Sequence, residues 1–398
     1  MQYVIIGNGV AGTTAAANIR KFGVEGKIII LSDEPYPFYS RIRLPEYLCN
    51  DVDEKGLIIR KNTWYEENRI DLFLNTAVTD IDVAGKKVMA SDSLTIKYDR
   101  LLLATGGVSF VPPIPGADKK GAFTLRTLDD ARAIKEFAKQ SNNRVVLIGG
   151  GVLGLEAGNS LRKAGNFISV VEFFPRLLPR QMDPPCAEIL RAQLEKMGFK
   201  FFLGAQAREI TGMDTAEGLT LEDGKHIDCD MIIISAGAGP NSFLAQKLNL
   251  PVEKGVIVNN RMETGIPDIY AAGDLIQHNG IFYGIWLAAE KQGEVAGINM
   301  AGGNAEYRGT TISNTLRVAG IDLCAAGDID AEGRKDSILF KDPDNYIYKK
   351  IVVQDNCIVG TILYGDIRDR QKIIKAIETG KDISMLRNDL EHWDLEKL

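Results

Sequence analysis

An α/β fold is predicted for this chain, with two copies of one strand–turn–helix–strand unit followed by a smaller α+β domain. Three observations predict it. The 398 residues include 40 glycines, and these are clustered. The main clusters each follow a short, strongly apolar run, the pattern of a parallel strand buried on both faces. After residue 305 that spacing disappears.

The first unit opens with Val4-Ile5-Ile6 and the turn Gly7-Asn8-Gly9-Val10-Ala11-Gly12, then an Ala-rich helical stretch and a second strand at Ile28–Leu31. Leu101–Leu103 and Ala104-Thr105-Gly106-Gly107 form a further strand and turn. The second unit repeats the first: Val145–Ile148, then Gly149-Gly150-Gly151-Val152-Leu153-Gly154, a helix, and a strand at Ile168–Val171. Proline-rich Val111–Gly116 and the Gly237–Pro240 turn mark joints. The expected division is therefore 1–111 with 237–305, then 112–236, then 306–398. In the last part, Tyr346–Val353 and Cys357–Leu363 read as strands, and Arg370–Thr379 and Ile383–His392 as helices.

Both turns have the spacing GxGxxG. In such a turn the first glycine allows the tight bend, the second lets backbone approach a pyrophosphate, and the third lets helix pack close to strand. The helix that follows offers free N–H groups to phosphate. A carboxylate about 20 residues on takes ribose hydroxyls. Asp33 and Glu34 stand 21 and 22 residues after Gly12, and Glu172 stands 18 after Gly154. Both units are therefore expected to be Rossmann-like dinucleotide folds. A carboxylate at Glu172 accepts a 2′-hydroxyl and repels a 2′-phosphate. Phe173 and Phe174 follow it where an NADPH site would carry arginines, and Arg176 alone is weak support for a phosphate, so NADH is expected.

Composition narrows the classes. Forty-seven basic against 53 acidic residues argue against a general nucleic-acid binder. The five cysteines are scattered and only three histidines are present, so no metal site is expected and a reducing, cytoplasmic setting is. Met1-Gln2-Tyr3 runs straight into a strand, leaving no room for a leader, and no apolar run is long enough to span a membrane.

A third motif, Tyr270-Ala271-Ala272-Gly273-Asp274, closes the series. The order GxGxxG, ATG, GxGxxG, YAAGD over residues 1 to about 300 resembles the pyridine nucleotide–disulfide oxidoreductase superfamily, the flavoproteins with two dinucleotide domains. That resemblance implies FAD on the first fold and NADH on the second. It places Asp274, after Gly273, on the ribityl chain of FAD, and Ala104-Thr105-Gly106 and Ala236-Gly237 at the crossovers. It adds Val78 to the FAD-binding set and directs Glu156 toward the flavin–nicotinamide junction, although a helix acid there also suits the dipole. It has Trp286 open a helix aimed at the flavin, the alternative being a core aromatic.

The disulfide branch carries redox cysteines after the first acidic strand. Here Ile42 stands at that position, and Cys49 comes seven residues later and reads as a small buried residue. Tyr39-x-Arg41 matches the branch without redox cysteines, where the arginine meets the FAD pyrophosphate. Glu46 replaces a lysine common in ferredoxin reductases. With Leu44-Pro45-Glu46, this looks more like NADH:rubredoxin reductases and the N-terminal flavoprotein part of assimilatory nitrite reductase. Tyr307–Asp330, with Asn314, Leu316, Val318 and Gly327, resembles the C-terminal domain of that branch. Glu46 and Glu156 are the expected catalytic pair; if both approach the flavin, one pKa rises. The implied reaction is hydride transfer from NADH to FAD, then electron transfer to a small acidic carrier such as rubredoxin. Arg41, Arg43, Arg176 and Arg180 are available as a basic rim, or else serve the cofactors or solubility. Oxygen, ferredoxin or a nitrite reductase subunit are alternative acceptors, and a redox-sensing interaction module is an alternative of another class. A monomer or homodimer is expected.

Overall fold

The computed structural model describes residues 1–23, 25–139, 142–311 and 313–398, without the side chains of 313–316 and 318. Asn314, Leu316 and Val318 therefore lie outside the described side chains. The chain forms two compact units. The first contains Met1–Arg41, Asp53–Ser109 and Ala238–Thr310; the second contains Ile42–Val52, Phe110–Gly237 and Thr311–Leu398.

The first unit is built on a five-stranded sheet in the order Ile269–Ala271, Arg100–Leu103, Gln2–Ile6, Lys27–Leu31, Ile70–Phe73, with every pairing parallel. Val4, Ile5, Ile28, Ile30 and Leu101–Leu103 are buried, as strands covered on both faces require. The helix Val10–Lys21 packs against the helix Trp286–Met300. Gly293 and Gly297, one turn apart on the second helix, make this contact close. A Cβ at either would stand 2.4 Å from the carbonyl oxygen of Ala11 or Ala15. Gly297→Val is therefore expected to destabilise the first unit by at least about 3 kcal/mol, because a backbone contact cannot repack around the new side chain. Thermal unfolding would show it, and an unchanged transition would mean the helices can part without cost.

The second unit repeats the plan. Its parallel sheet runs Lys200–Leu203, Phe167–Glu172, Arg144–Ile148, Met231–Ile234, Ala122–Phe123. The C-terminal part is a five-stranded antiparallel sheet in the order Ser313–Val318, Ile321–Gly327, Cys357–Tyr364, Ile347–Gln354, Asp336–Asp342. The helix Arg370–Thr379 covers it, burying Ile373 and Ala376. The expected helix Ile383–His392 is only Arg387–Glu391. Upstream, the Ile383 N–H goes to Asn356 O (2.8 Å), and Asp382 Oδ1 accepts the Ser384 N–H (2.8 Å). Those groups are thereby withdrawn from a helical ladder.

One segment departs from the expected boundaries. Residues 42–52 lie in the first dinucleotide stretch by sequence, yet their contacts place them in the second unit. The short helix Leu44–Leu48 packs on the helices Leu128–Phe137 and Val152–Lys163. Its Leu44, Pro45, Tyr47 and Leu48 are buried. Lys135 Nζ donates to Tyr47 O (3.1 Å) and stands 4.0 Å over the Tyr47 ring, while Lys163 pairs with Asp51 at 3.0 Å. Among the described residues no helix is long and apolar enough to cross a membrane.

Candidate functional site: two glycine cradles

In each cradle the three motif glycines have different physical reasons to be glycine. Gly7 has φ +115°, and a Cβ there would stand 2.1 Å from Ala104 O; Gly149 has φ +110°, with 2.3 Å to Ser235 O. At Gly12 a Cβ would meet Gly7 O at 2.0 Å, and at Gly154 it would meet Gly149 O at 2.7 Å. Those four are demanded by the chain's own packing. Gly9 and Gly151 are not. Their φ angles are −95° and −75°, open to any L-residue, and a Cβ at either finds nothing within 4 Å.

Each middle glycine caps a helix, Val10–Lys21 or Val152–Lys163. Neither helix has a side-chain cap hydrogen bond or an acid in its first turn. The leading N–H groups at Val10 and Ala11, and at Val152 and Leu153, are those a helix start leaves for a partner outside it. An absent Cβ that only a ligand would strike, beside uncapped N–H donors, fits a pyrophosphate.

The acids after the two cradles are arranged differently. Glu172 is buried. Its Oε2 accepts the Gly150 N–H (2.6 Å) and its Oε1 the Phe174 N–H (2.8 Å), so it braces the glycine loop; each oxygen keeps a lone pair for a ribose hydroxyl. In the first unit Asp33 is exposed. Glu34 accepts from the Tyr39 hydroxyl (2.5 Å) and pairs with Arg41, so in this structure the Arg41 guanidinium meets a carboxylate.

The remaining candidates of the first unit lie along the chain's return to its sheet. Thr105 Oγ1 donates to Asn241 O (2.8 Å) and the Asn241 N–H to Gly106 O (2.9 Å), which ties the Ala104-Thr105-Gly106 turn to the returning chain. There Gly107–Ser109 pairs antiparallel with Ala238–Pro240. Val78, half-buried, opens the strand Val78–Asp82. The Gly273 N–H donates to Gln292 Oε1 (2.9 Å), and Asp274 follows, half-buried. Gln292 escaped the sequence reading; the signal was a glutamine on the helix face between Ala289 and Ala296. Trp286 is the first residue of its helix, its ring 5.7 Å from that of Phe38.

In the second unit, Gly237 has φ +111° and open space at its Cβ position. Glu156 lies in the first turns of Val152–Lys163, and burial, with Glu46 as the lesser cause, pushes its carboxyl up to about 7. Glu46 is half-exposed and paired with Arg43 at 2.7 Å. Ile42 is exposed. Cys49 is half-buried, its Sγ 3.5 Å from Glu46 O.

The raised Glu156 has a consequence for stability. Between the ordinary carboxyl value and about 7, the folded chain holds a proton that the unfolded chain has released. Stability from this site therefore falls as pH rises through that window and is flat above it. Glu156→Gln is expected to be the more stable protein, with an advantage that grows by about 1–2 kcal/mol between pH 5.5 and 8.5 after allowance for partial exposure. Denaturant titrations at the two pH values measure it; an advantage independent of pH would refute the assignment.

The expected basic rim is largely neutralised within the chain. Arg41 pairs with Glu34, Arg43 with Glu46, and Arg176 with Glu332 at 3.2 Å, leaving Arg180 exposed.

Two Rossmann-like units, each with a cradle shaped for a phosphate group, define a protein class with two dinucleotide sites. The chain belongs to the pyridine nucleotide-disulphide oxidoreductase family, which matches residues 1–293, and residues 313–381 match the rubredoxin NAD+ reductase C-terminal domain. Nitrite reductase (NAD(P)H) of Bacillus subtilis is 39% identical over 385 residues, 96% of this chain and 48% of that protein. NADH-rubredoxin oxidoreductase of Clostridium acetobutylicum is 32% identical over 380 residues, 96% of this chain and 95% of that protein. A solved structure of NADH:rubredoxin oxidoreductase from Clostridium acetobutylicum superposes with a TM-score of 0.82 at 30% identity, covering 97% of this chain and 99% of that one. The chain spans about half the length of the first two curated relatives it matches.

Proposed function

We propose that this chain is an NADH-dependent FAD oxidoreductase that takes a hydride from NADH and passes the electrons to rubredoxin or a similar small iron–sulfur protein. The observation that carries the dinucleotide part is the pair Gly9 and Gly151, glycine for no reason within the chain. FAD bound to the first fold would supply a two-electron acceptor that can release electrons singly. Gly7, Gly9 and Gly12, with the N–H groups of Val10 and Ala11, would hold its pyrophosphate. Asp33 or Glu34 would take the adenosine ribose, and Val78, Ala104, Thr105, Gly106, Gly273, Asp274 and Trp286 the rest of the cofactor. Arg41 would reach the pyrophosphate by leaving Glu34.

On the second fold Gly149, Gly151, Gly154, Val152, Leu153 and Glu172 would seat NADH, with Gly237 at the crossover. The chain's work there would be positional rather than chemical. Glu156, its carboxyl pushed up to about 7 by burial and to a lesser degree by Glu46, would carry a proton beside the reacting groups. The proposed functional division is 1–111 with 237–305, 112–236 and 306–398, with residues 42–52 packed in the second unit. A cytoplasmic location is part of the proposal, supported by the scatter of the five cysteines along the sequence.

The match to half of a nitrite reductase favours a second reading of the acceptor, in which the chain is the flavoprotein component of a nitrite-reducing system. Anaerobic stopped-flow reduction by NADH and by NADPH, followed by mixing with rubredoxin, tests both. Rapid reduction by NADH and rapid onward transfer are expected. Preference for NADPH would overturn the role of Glu172, no transfer to rubredoxin would discard that acceptor, and a protein that binds no FAD would end the proposal.

A further inference from the structure

We infer that Phe173 and Phe174 form an aromatic platform for the adenine ring of NADH, and that this platform sets the affinity for the adenosine half of the nucleotide. The inference rests on the NADH reading of the second fold. Phe173 is 63% exposed and Phe174 48% exposed, adjacent in sequence, while Leu177 and Leu178 just beyond are buried. The rings meet edge to face at 5.5 Å, so they support each other and leave their outer faces to solvent. Scattered single apolar side chains on a surface are ordinary; an adjacent aromatic pair beside a ligand cradle is not.

The pair is fastened to that cradle. Glu172 Oε1 accepts the Phe174 N–H (2.8 Å), and Oε2 of the same carboxylate accepts the Gly150 N–H (2.6 Å). One buried side chain thus links the aromatic segment to the glycine loop. The backbone is held from its other side as well: Phe174 O accepts the Gly204 N–H (2.9 Å) and Glu172 O the Ala205 N–H (3.0 Å). The rings are therefore carried by a backbone that one carboxylate ties to the glycine loop.

The chemistry selects the occupant. An uncharged aromatic face suits a flat, uncharged base and offers nothing to a phosphate. The nearest arginine in sequence, Arg176, is committed to Glu332 and is mostly buried. With the pyrophosphate on the loop and the ribose on Glu172, the adenine would lie beyond that carboxylate, where the chain continues into the two phenylalanines.

The test uses the FAD-loaded protein, so that the first fold is filled, and reads binding by calorimetry with three probes: NAD+, ADP-ribose and nicotinamide mononucleotide. Replacing both phenylalanines with alanine is expected to weaken NAD+ and ADP-ribose about tenfold or more, the worth of one base stacked on an aromatic ring. Nicotinamide mononucleotide, which has no adenine, is expected to bind as before. The thermal transition should hold, because the rings are largely outside the core. Tyrosine at both positions should restore binding and leucine should not. Unchanged affinity for ADP-ribose, equal weakening of the mononucleotide, or full restoration by leucine would each overturn the platform. ADP-ribose that fails to bind the unaltered protein would overturn the NADH reading, and the platform with it.

Discussion

Gly151→Val is expected to give a folded, yellow protein that NADH reduces at least about 100-fold more slowly, a loss of roughly 2.7 kcal/mol. Gly151 has φ −75° and nothing within 4 Å of its Cβ position, so the backbone accepts a branched residue and its Cβ meets no protein atom. The chain loses only the modest preference for glycine over valine at a helix N-cap, about 1 kcal/mol. The new side chain instead fills the space through which a pyrophosphate would approach the loop. Gly9→Val makes the same change in the first cradle, where φ is −95°, and is expected to give a folded protein that has lost its colour. The neighbouring glycines supply the contrast. Gly154→Val would force a Cβ to 2.7 Å from Gly149 O, and Gly12→Val to 2.0 Å from Gly7 O, so both are expected to fail as folds. Flavin absorbance, thermal unfolding and stopped-flow reduction, read together on the four variants, separate lost binding from lost structure. Normal reduction of Gly151→Val by NADH would refute the second cradle as the NADH site.

That contrast also shows which features can be read from sequence. The cradles were legible because a run of three spaced glycines states a backbone requirement locally, and the strands before them carry their burial in their own composition. The glutamate after the second cradle was legible as a position, but its two backbone hydrogen bonds to Gly150 and Phe174 were not, since they depend on how the loop closes. The raised carboxyl of Glu156 arises from burial and from Glu46, on a helix far away in sequence. The allegiance of that helix was hidden for the same reason: residues 42–52 follow the first βαβ unit in the chain, and only packing against Leu128–Phe137 and Val152–Lys163 assigns them to the second. The apolar–polar pattern of Tyr346–Val353 predicted a strand; it gave no sign that two consecutive lysines within it are buried.

Lys350 is one of those lysines, and Lys350→Met is expected to destabilise the second unit by about 3–5 kcal/mol. Its Nζ donates to Asp183 Oδ2 (3.2 Å) and to Asp330 O (2.9 Å). The two side chains are 4% and 7% exposed. Asp183 has a second duty, because its Oδ1 accepts the Cys186 N–H (3.2 Å) and so caps the helix Pro184–Lys196, while Oδ2 also accepts the Tyr348 hydroxyl (2.6 Å). Removing the ammonium leaves a buried carboxylate with no opposing charge in the pair, and its desolvation is then uncompensated. The double variant Asp183→Asn, Lys350→Met removes both charges and keeps an oxygen to cap the helix, so it is expected to recover most of the loss. Chemical denaturation of the two single variants and the double gives the coupling between the residues. A coupling of several kcal/mol identifies an ion pair that fastens the C-terminal sheet to the helix Pro184–Lys196. Flavin content and NADH reduction below the transition should stay as they are, because neither residue lies in a glycine cradle. Loss of less than about 0.5 kcal/mol on Lys350→Met would mean that water replaces the lysine and that the pair is incidental to the fold.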